Sequence, residues 1–210
     1  GSSTSTTIND ETGEEIRKEA VTVTEGLSEA VMEFTDSETH KTFSQTTQTR
    51  TDGSSTTTIT NDVGVDIRVE TRSVIAGVTE VVVEFIDETG ERLTQTTQEQ
   101  TDGSSTSTTC NAAGEVIREE TVTVNSAGAE TIVTKFTDPA TGAKVTQTIE
   151  RLTDGSSTST TVNDATGEEI RKETVTVDDA GDVTRRQVVT VTEVGETTVE
   201  KFTDPATGAK

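Results

Sequence analysis

Gly103-Ser104-Ser105-Thr106-Ser107-Thr108-Thr109 is the stretch that decides the fold, because it recurs along the chain. The same letters begin at Gly1 and at Gly155, and a close variant begins at Gly53, so successive copies lie 52, 50 and 52 residues apart. Self-similarity at a nearly fixed period is typical of a repeat array. The chain is therefore predicted to be a row of small, similar units.

These markers place four repeats along the 210 residues. In the fourth repeat Phe202 lies 47 residues after its leading glycine, whereas Phe34 and Phe136 lie 33 residues after theirs. About 14 residues are thus inserted within 178–196, enough for one more strand and turn. We expect the chain to be part of a longer repetitive protein. The predicted repeats are 1–52, 53–102, 103–154 and 155–210, the last one incomplete.

The composition favours strands over helices or disorder. Thr, Val and Ile total about 84 residues, roughly 40% of the chain, and these β-branched residues suit a pleated sheet. Leu, Ile, Val and Phe total only about 43 residues, roughly 20%, which is too little for a thick core. No sustained apolar stripe of helical period is present. The sequence predicts an all-β fold with a thin core.

Turn residues divide the chain at short intervals, as between the strands of hairpins. We therefore predict about four strands per repeat, in an antiparallel meander of hairpins that forms an elongated array with a spiral or solenoid-like sheet. Alternation is imperfect, because Ile16 falls on one face by parity while Val21 and Val23 fall on the other. Either a β-bulge or a sheet covered on both faces would account for this.

One turn resembles a known kind of repeat. Phe85-Ile86-Asp87-Glu88-Thr89-Gly90-Glu91-Arg92-Leu93 is similar to the Tyr-Asp repeats of bacterial surface and toxin shells, which are β-hairpin arrays. The likeness covers about nine residues, lacks the tyrosine and has a different period. It supports a hairpin array and assigns no family.

Charge and composition exclude several classes of function. The 39 acidic residues outnumber the 17 basic ones, which gives a formal charge of −22. This charge opposes phosphate backbones and anionic membranes. No apolar run approaches the roughly 20 residues of a membrane span, and no signal peptide is recognised. Neither nucleic-acid binding nor membrane insertion is expected.

Cys110 and His40 are of types that can act in catalysis or metal binding. Cys110 occupies the position of Ile8 and Val162 in other repeats, so it is interpreted as a small apolar residue in a strand and not as a nucleophile. His40 aligns with Gly142, and His tolerates the left-handed backbone region, so a turn role is expected, with metal binding as the weaker alternative.

Carboxylates recur at the turns. They lack the spacing of an EF-hand or a calcium β-roll, so we expect their oxygens to bond the turn backbone, with weak, delocalised divalent-cation binding as the alternative. The pairs Glu14-Glu15 and Glu168-Glu169 are expected by chance in so acidic a chain, and no aromatic pocket accompanies them. The turn carboxylates are Asp10, Asp36, Asp87, Asp138, Asp164 and Asp204.

Threonine tracts offer a further interpretation. An ice-ordering surface would need one flat, uninterrupted threonine face, but Arg50, Gln95, Gln98 and Glu99 interrupt the tracts. Threonine as a general strand former is the simpler interpretation. The tracts are Thr4–Thr7, Thr56–Thr58, Thr94–Thr97 and Thr158–Thr161.

We therefore expect a non-enzymatic structural repeat protein, located outside the cell or on its surface. It would build a stalk, fibre or filament by associating with copies of itself. The alternatives are an adhesin or a ligand-, mineral- or ice-binding module, an intracellular cytoskeletal or ciliary repeat and, ranked lowest, a hydrolase. No catalytic, cofactor-binding or metal-binding residue is assigned, and no cofactor is expected.

Overall fold

The structure is a computed structural model, and it describes residues 1–8, 15–35, 40–178, 180–192 and 195–202. Sixteen β-strands lie in this part of the chain. Their bounds are β1 Ser2–Ile8, β2 Glu15–Thr24, β3 Leu27–Thr35, β4 Thr42–Arg50, β5 Ser55–Thr60, β6 Asp66–Ile75, β7 Val78–Ile86, β8 Arg92–Glu99, β9 Ser105–Cys110, β10 Val116–Val124, β11 Glu130–Thr137, β12 Lys144–Arg151, β13 Ser157–Asn163, β14 Glu169–Val177, β15 Val183–Thr192 and β16 Gly195–Phe202.

The strands follow one another in a single open sheet, in the order β1 to β16. Every recorded strand pair is antiparallel and joins consecutive strands, so the fold is a meander of hairpins, as predicted. The described residues contain no helix, and hence none that is long and apolar enough to cross a membrane. β1 and β16 are the two edge strands.

The turns explain why the chain reverses where it does. The glycine of each Thr-Asp-Gly-Ser turn has a φ between +85° and +89°, a region that residues with a Cβ atom rarely adopt. At the first of these turns the Gly53 amide donates to the Arg50 carbonyl oxygen at 3.1 Å, and the Arg50 amide donates to the Ser54 carbonyl oxygen at 2.9 Å. This closed loop joins β4 to β5.

A β-bulge resolves the imperfect alternation in the second strand of three repeats. Thr7 pairs with Arg17 while Ile8 pairs with Glu15, so Ile16 is an extra residue between them. The register skips Ile67 and Ile170 in the same way. A bulge of this kind restarts the alternation of faces. The bulge alternative, left open by the sequence, is the correct one at Ile16.

Contacts divide the chain into two compact units. The first unit comprises 1–98 and 109–115, and the second comprises 99–108 and the chain from 116 onward. The buried apolar residues are few, as the thin core predicts. Among the described residues they are Val83 and Leu93 in the first unit and Val145 in the second.

In the second unit the two faces of the sheet differ. We call the face that carries Val145 the core face, and the register places Phe136 and Thr134 on it as well. Val145 is 1% exposed and Thr134 is 2% exposed. We call the opposite face the threonine face, because Thr148 and Thr160 are cross-strand partners there. Small apolar and methyl-bearing side chains thus supply what core this sheet has.

The fourth repeat contains an additional strand. β15 lies within the segment that the sequence marks as inserted, and it pairs with β14 on one side and with β16 on the other. In the third repeat β11 is antiparallel to β10. In the fourth repeat β15 lies between β14 and β16, so β16 is parallel to β14. Phe202 consequently pairs with Arg185 on the threonine face, whereas Phe136 lies on the core face.

Candidate functional site

Three further aspartates, which the sequence interpretation did not single out, lie in the Thr-Asp-Gly-Ser turns and bond their own turn. Oδ1 of Asp52 accepts hydrogen bonds from the Ser54 amide at 2.8 Å and from the Ser54 hydroxyl at 2.6 Å. Asp102 accepts the Ser104 amide at 2.9 Å, and Asp154 accepts both the amide and the hydroxyl of Ser156. These bonds hold the pKa of each of the three carboxyls below its ordinary value.

Asp87 and Asp138, which lie in two other turns, also accept hydrogen bonds from residues of their own turn. Oδ1 of Asp87 accepts from the Thr89 hydroxyl at 2.7 Å and from the amides of Thr89 and Glu91 at 2.9 Å. The Thr141 hydroxyl and the Ala140 amide donate to the carboxylate of Asp138. In both cases the hydroxyl bond is the largest cause of a lowered pKa. These carboxylate oxygens are occupied in stabilising the turn, as the sequence interpretation expects.

The remaining predicted turn carboxylates divide into two groups. Asp164 accepts a hydrogen bond from the Thr146 hydroxyl at 2.7 Å, across to a neighbouring strand. Asp10, Asp36, Asp204 and Glu14 lie outside the described residues. Within the described ranges, no three His, Cys, Asp or Glu side chains are grouped closely enough to hold a metal ion. Weak divalent-cation binding stays a prediction.

His40 and Cys110 take the positions that the sequence suggests. His40 has a φ of +54°, in the left-handed region, and its side chain is exposed. Cys110 is the last residue of β9, is partly buried and carries a free thiol. His40 lines a shallow depression with Phe43, Asn61 and Asp62, which is open to solvent. Such an opening does not exclude water from a reacting group.

The threonine face is interrupted in the second unit. Lys172 is the cross-strand partner of Thr160, and Glu150 lies between Thr131 and Thr158. Charged side chains therefore break both of the rows that the register aligns there. The rows run Thr121, Val133, Thr148, Thr160, Lys172 and Thr123, Thr131, Glu150, Thr158, Thr174.

A repeated ion pair escaped the sequence interpretation. In the second strand of every repeat an arginine contacts the glutamate two residues later, at distances between 2.8 and 3.2 Å. Residues i and i+2 of a strand share a face, so the recurring Arg-x-Glu spacing is a signal that could have revealed it. The pairs are Arg17–Glu19, Arg68–Glu70, Arg118–Glu120 and Arg171–Glu173.

One of these ion pairs lies beside an aromatic ring. The guanidinium of Arg118 lies 5.9 Å from the centroid of the Phe136 ring, its cross-strand partner. In the first unit Phe34 stacks on Phe43 with ring centroids 5.5 Å apart. The arginine side chains remain about half exposed, so each ion pair stabilises the sheet by at most about 1 kcal/mol. The arrangement supports the sheet surface and offers no reactive group.

The edge strand β1 presents backbone groups that β2 does not use. Gly1 and Val23 exchange two backbone hydrogen bonds, at 2.8 and 3.1 Å. Because such pairs alternate along an antiparallel ladder, the register directs the amides and carbonyls of Ser2, Thr4 and Thr6 away from β2. The segment Ser2–Ile8 contains neither a charged residue nor a proline, the usual means of blocking an edge. At the corresponding positions β5 and β13 pair with the strands that precede them, β4 and β12.

Comparison with known proteins adds little to this description. No protein-family model and no curated protein sequence matches the chain. Among solved structures, a porin-like protein from Bacteroides uniformis ATCC 8492 is similar at a TM-score of 0.35 and 13% identity, over 93% of this chain and 92% of that one.

Proposed function

We propose that this chain is a non-enzymatic structural repeat, which builds a stalk, fibre or filament of an extracellular or cell-surface assembly by associating with copies of itself. One observation carries the proposal. Across the described residues, contacts between strands join consecutive strands only. Stability in such an array is a sum of terms from neighbouring units, so the array can lengthen without a new core.

Backbone pairing supplies a means of association, because an exposed strand with unpaired amides and carbonyls is a template for pairing with another chain. The acidic composition, with a net charge of −22, favours solubility of a long array and an aqueous outer location.

Sedimentation velocity and negative-stain imaging of the 210-residue chain test this proposal. Over a concentration series we expect the sedimentation coefficient to rise and thin fibres with a regular axial repeat to form. A single sedimenting species of constant size at all concentrations, seen as uniform compact particles, would contradict self-assembly.

A further inference from the structure

The end of β16 repeats the sequence of the end of β11, but the two have different partners. Lys135 and Lys201 begin the same ten residues, Lys-Phe-Thr-Asp-Pro-Ala-Thr-Gly-Ala-Lys. In the third repeat Lys135 lies opposite Glu119 of β10. In the fourth repeat the additional strand β15 precedes β16, and Lys201 lies opposite Arg186. The same lysine therefore faces a carboxylate in one repeat and a guanidinium in the other.

Like charges at this cross-strand position occur in the fourth repeat and not in the other three. In the first repeat Lys18 lies opposite Glu33, and in the second Val69 lies opposite Glu84. Unlike charges that face each other stabilise an antiparallel strand pair, whereas like charges destabilise it. The β15–β16 pair therefore has a local excess of positive charge, in a chain whose net charge is −22.

The neighbouring carboxylate on this face is already shared between two arginines. Glu173 of β14 contacts Arg171 at 3.0 Å and Arg186 at 2.6 Å. The register places these three side chains and Lys201 on the core face. Lys201 forms no ion pair with any residue that the structure describes. Three cationic side chains therefore have one carboxylate between them, and the ammonium of Lys201 is the group left to bind an anion.

Two valines lie beside these cations on the same face. Val188 and Val199 are cross-strand partners, each two residues from Arg186 or Lys201 along its strand, and residues at this spacing share a face of the sheet. The four side chains line an open depression of about 360 Å³. Methyl groups next to two cations suit a ligand that has a carboxylate at one end and aliphatic carbons behind it.

We propose that Arg186, Lys201, Val188 and Val199 bind an aliphatic monocarboxylate. Its carboxylate accepts hydrogen bonds from the guanidinium of Arg186 and the ammonium of Lys201, and its hydrocarbon chain covers the valine methyls. A single negative charge is favoured, because Glu173 and the net charge of the chain repel a more highly charged anion. This inference goes beyond the structural role proposed above and does not rest on it.

Titration of the 210-residue chain with sodium hexanoate, followed by the NMR shifts of backbone amides, tests this site. Sodium chloride keeps the ionic strength constant during the titration. We expect the amides of 186–188 and 199–201 to shift, with a dissociation constant on the order of 1 mM. Acetate carries the charge without the hydrocarbon chain, and hexan-1-ol carries the chain without the charge. Each of these two should bind at least about five-fold more weakly than hexanoate.

A pair of matched variants connects hexanoate binding to the like-charge pair. Lys201→Gln removes the ammonium opposite Arg186, and Lys135→Gln removes the lysine of the same local sequence that lies opposite Glu119. Both lysines are exposed, so neither substitution should prevent folding. We expect Lys201→Gln to weaken hexanoate binding about five-fold and Lys135→Gln to leave it unchanged.

The possible outcomes decide for or against the site. Shifts confined to β15 and β16, weakened by Lys201→Gln and kept by Lys135→Gln, would support the assignment. It would be overturned by the absence of shifts at about 50 mM hexanoate, by equal binding of acetate or hexan-1-ol, or by equal effects of the two variants. Shifts of the same amides on raising the protein concentration without hexanoate would assign the site to carboxylates of a second copy, and would also overturn the inference.

Discussion

Glycines with positive φ allow the chain to reverse its direction at the turns, and at Gly103 a neighbouring side chain also lies close. Its φ is +88°, and a Cβ atom built on it would lie 3.4 Å from Cγ2 of Val124. Alanine at this position would have to adopt a left-handed backbone, which costs about 1 kcal/mol. The turn before β9 therefore depends on the absence of a side chain.

We expect Gly103→Ala to lower the free energy of unfolding by about 1 kcal/mol, measured by urea denaturation. Gly103→Asn should cost less, because asparagine tolerates the left-handed region. Equal losses for the two variants would show that the 3.4 Å approach to Val124, and not the backbone conformation, limits the position.

The turn aspartates make part of the stability depend on pH. Hydrogen bonds from the serines lower the pKa of Asp52, Asp102 and Asp154 below the ordinary 3.8. A carboxyl whose pKa is depressed in the folded state stabilises the fold above its unfolded pKa, and loses this effect as pH falls through the folded value. The loss is thus expected at a pH below about 3.8.

The triple variant Asp52→Asn, Asp102→Asn, Asp154→Asn tests this contribution by thermal unfolding between pH 2 and 7. The stability difference from the original chain should be largest near neutrality and vanish at the acid end. A control with Glu99→Gln, Glu119→Gln and Glu150→Gln removes the same number of charges from exposed positions. A pH profile identical in both triple variants would assign the effect to net charge alone.

At the scale of the strand, one buried valine supports several neighbours. Val145 of β12 is 1% exposed, between Phe136 on β11 and Asn163 on β13. Truncating a buried aliphatic side chain loses its transfer free energy and leaves a cavity. A sheet with so few buried apolar residues has little else to compensate for that loss.

We expect Val145→Ala to destabilise the chain by about 2 kcal/mol, measured by urea or thermal unfolding. Val63→Ala is the matched control, because Val63 is 75% exposed in a turn, and it should change stability by less than about 0.5 kcal/mol. Similar small effects at both sites would mean that Val145 is not part of a core.

The sequence predicts the strands and their order well, because the same strand and turn patterns recur from one repeat to the next. Ile16 already indicated a disturbed alternation, but parity alone cannot distinguish a bulge from a sheet covered on both faces. That choice depends on which residues pair across strands, for example Thr7 with Arg17 and Ile8 with Glu15. The ion pair of Arg171 with Glu173 was missed although its spacing was visible.

Features that depend on strand pairing were less accessible from sequence than the fold. No residue type marks the backbone amides and carbonyls of Ser2–Ile8 that β2 leaves unused. The contact of Glu173 with Arg186, at 2.6 Å, also depends on β15 lying beside β14. Such features follow from register, which composition and periodicity do not specify.

For the whole molecule, net charge bears on the proposed association between copies. Chains of charge −22 repel one another, and the distance over which they do so falls from about 10 Å at 0.1 M salt to about 3 Å at 1 M. We expect self-association, measured by sedimentation velocity at pH 7, to increase as sodium chloride rises over this range. Association that weakened with salt would point to attraction between unlike charges instead of edge pairing.

The additional strand β15 has a consequence for what the protein displays. Each strand of a meander runs opposite to the one before it. One extra strand therefore turns the following strand over, so that its side chains exchange the two faces of the sheet. Phe202, 58% exposed beside Arg185, is the first aromatic ring after this exchange. One additional strand therefore changes the face on which an arginine and a phenylalanine meet, from the core face for Arg118 and Phe136 to the threonine face for Arg185 and Phe202.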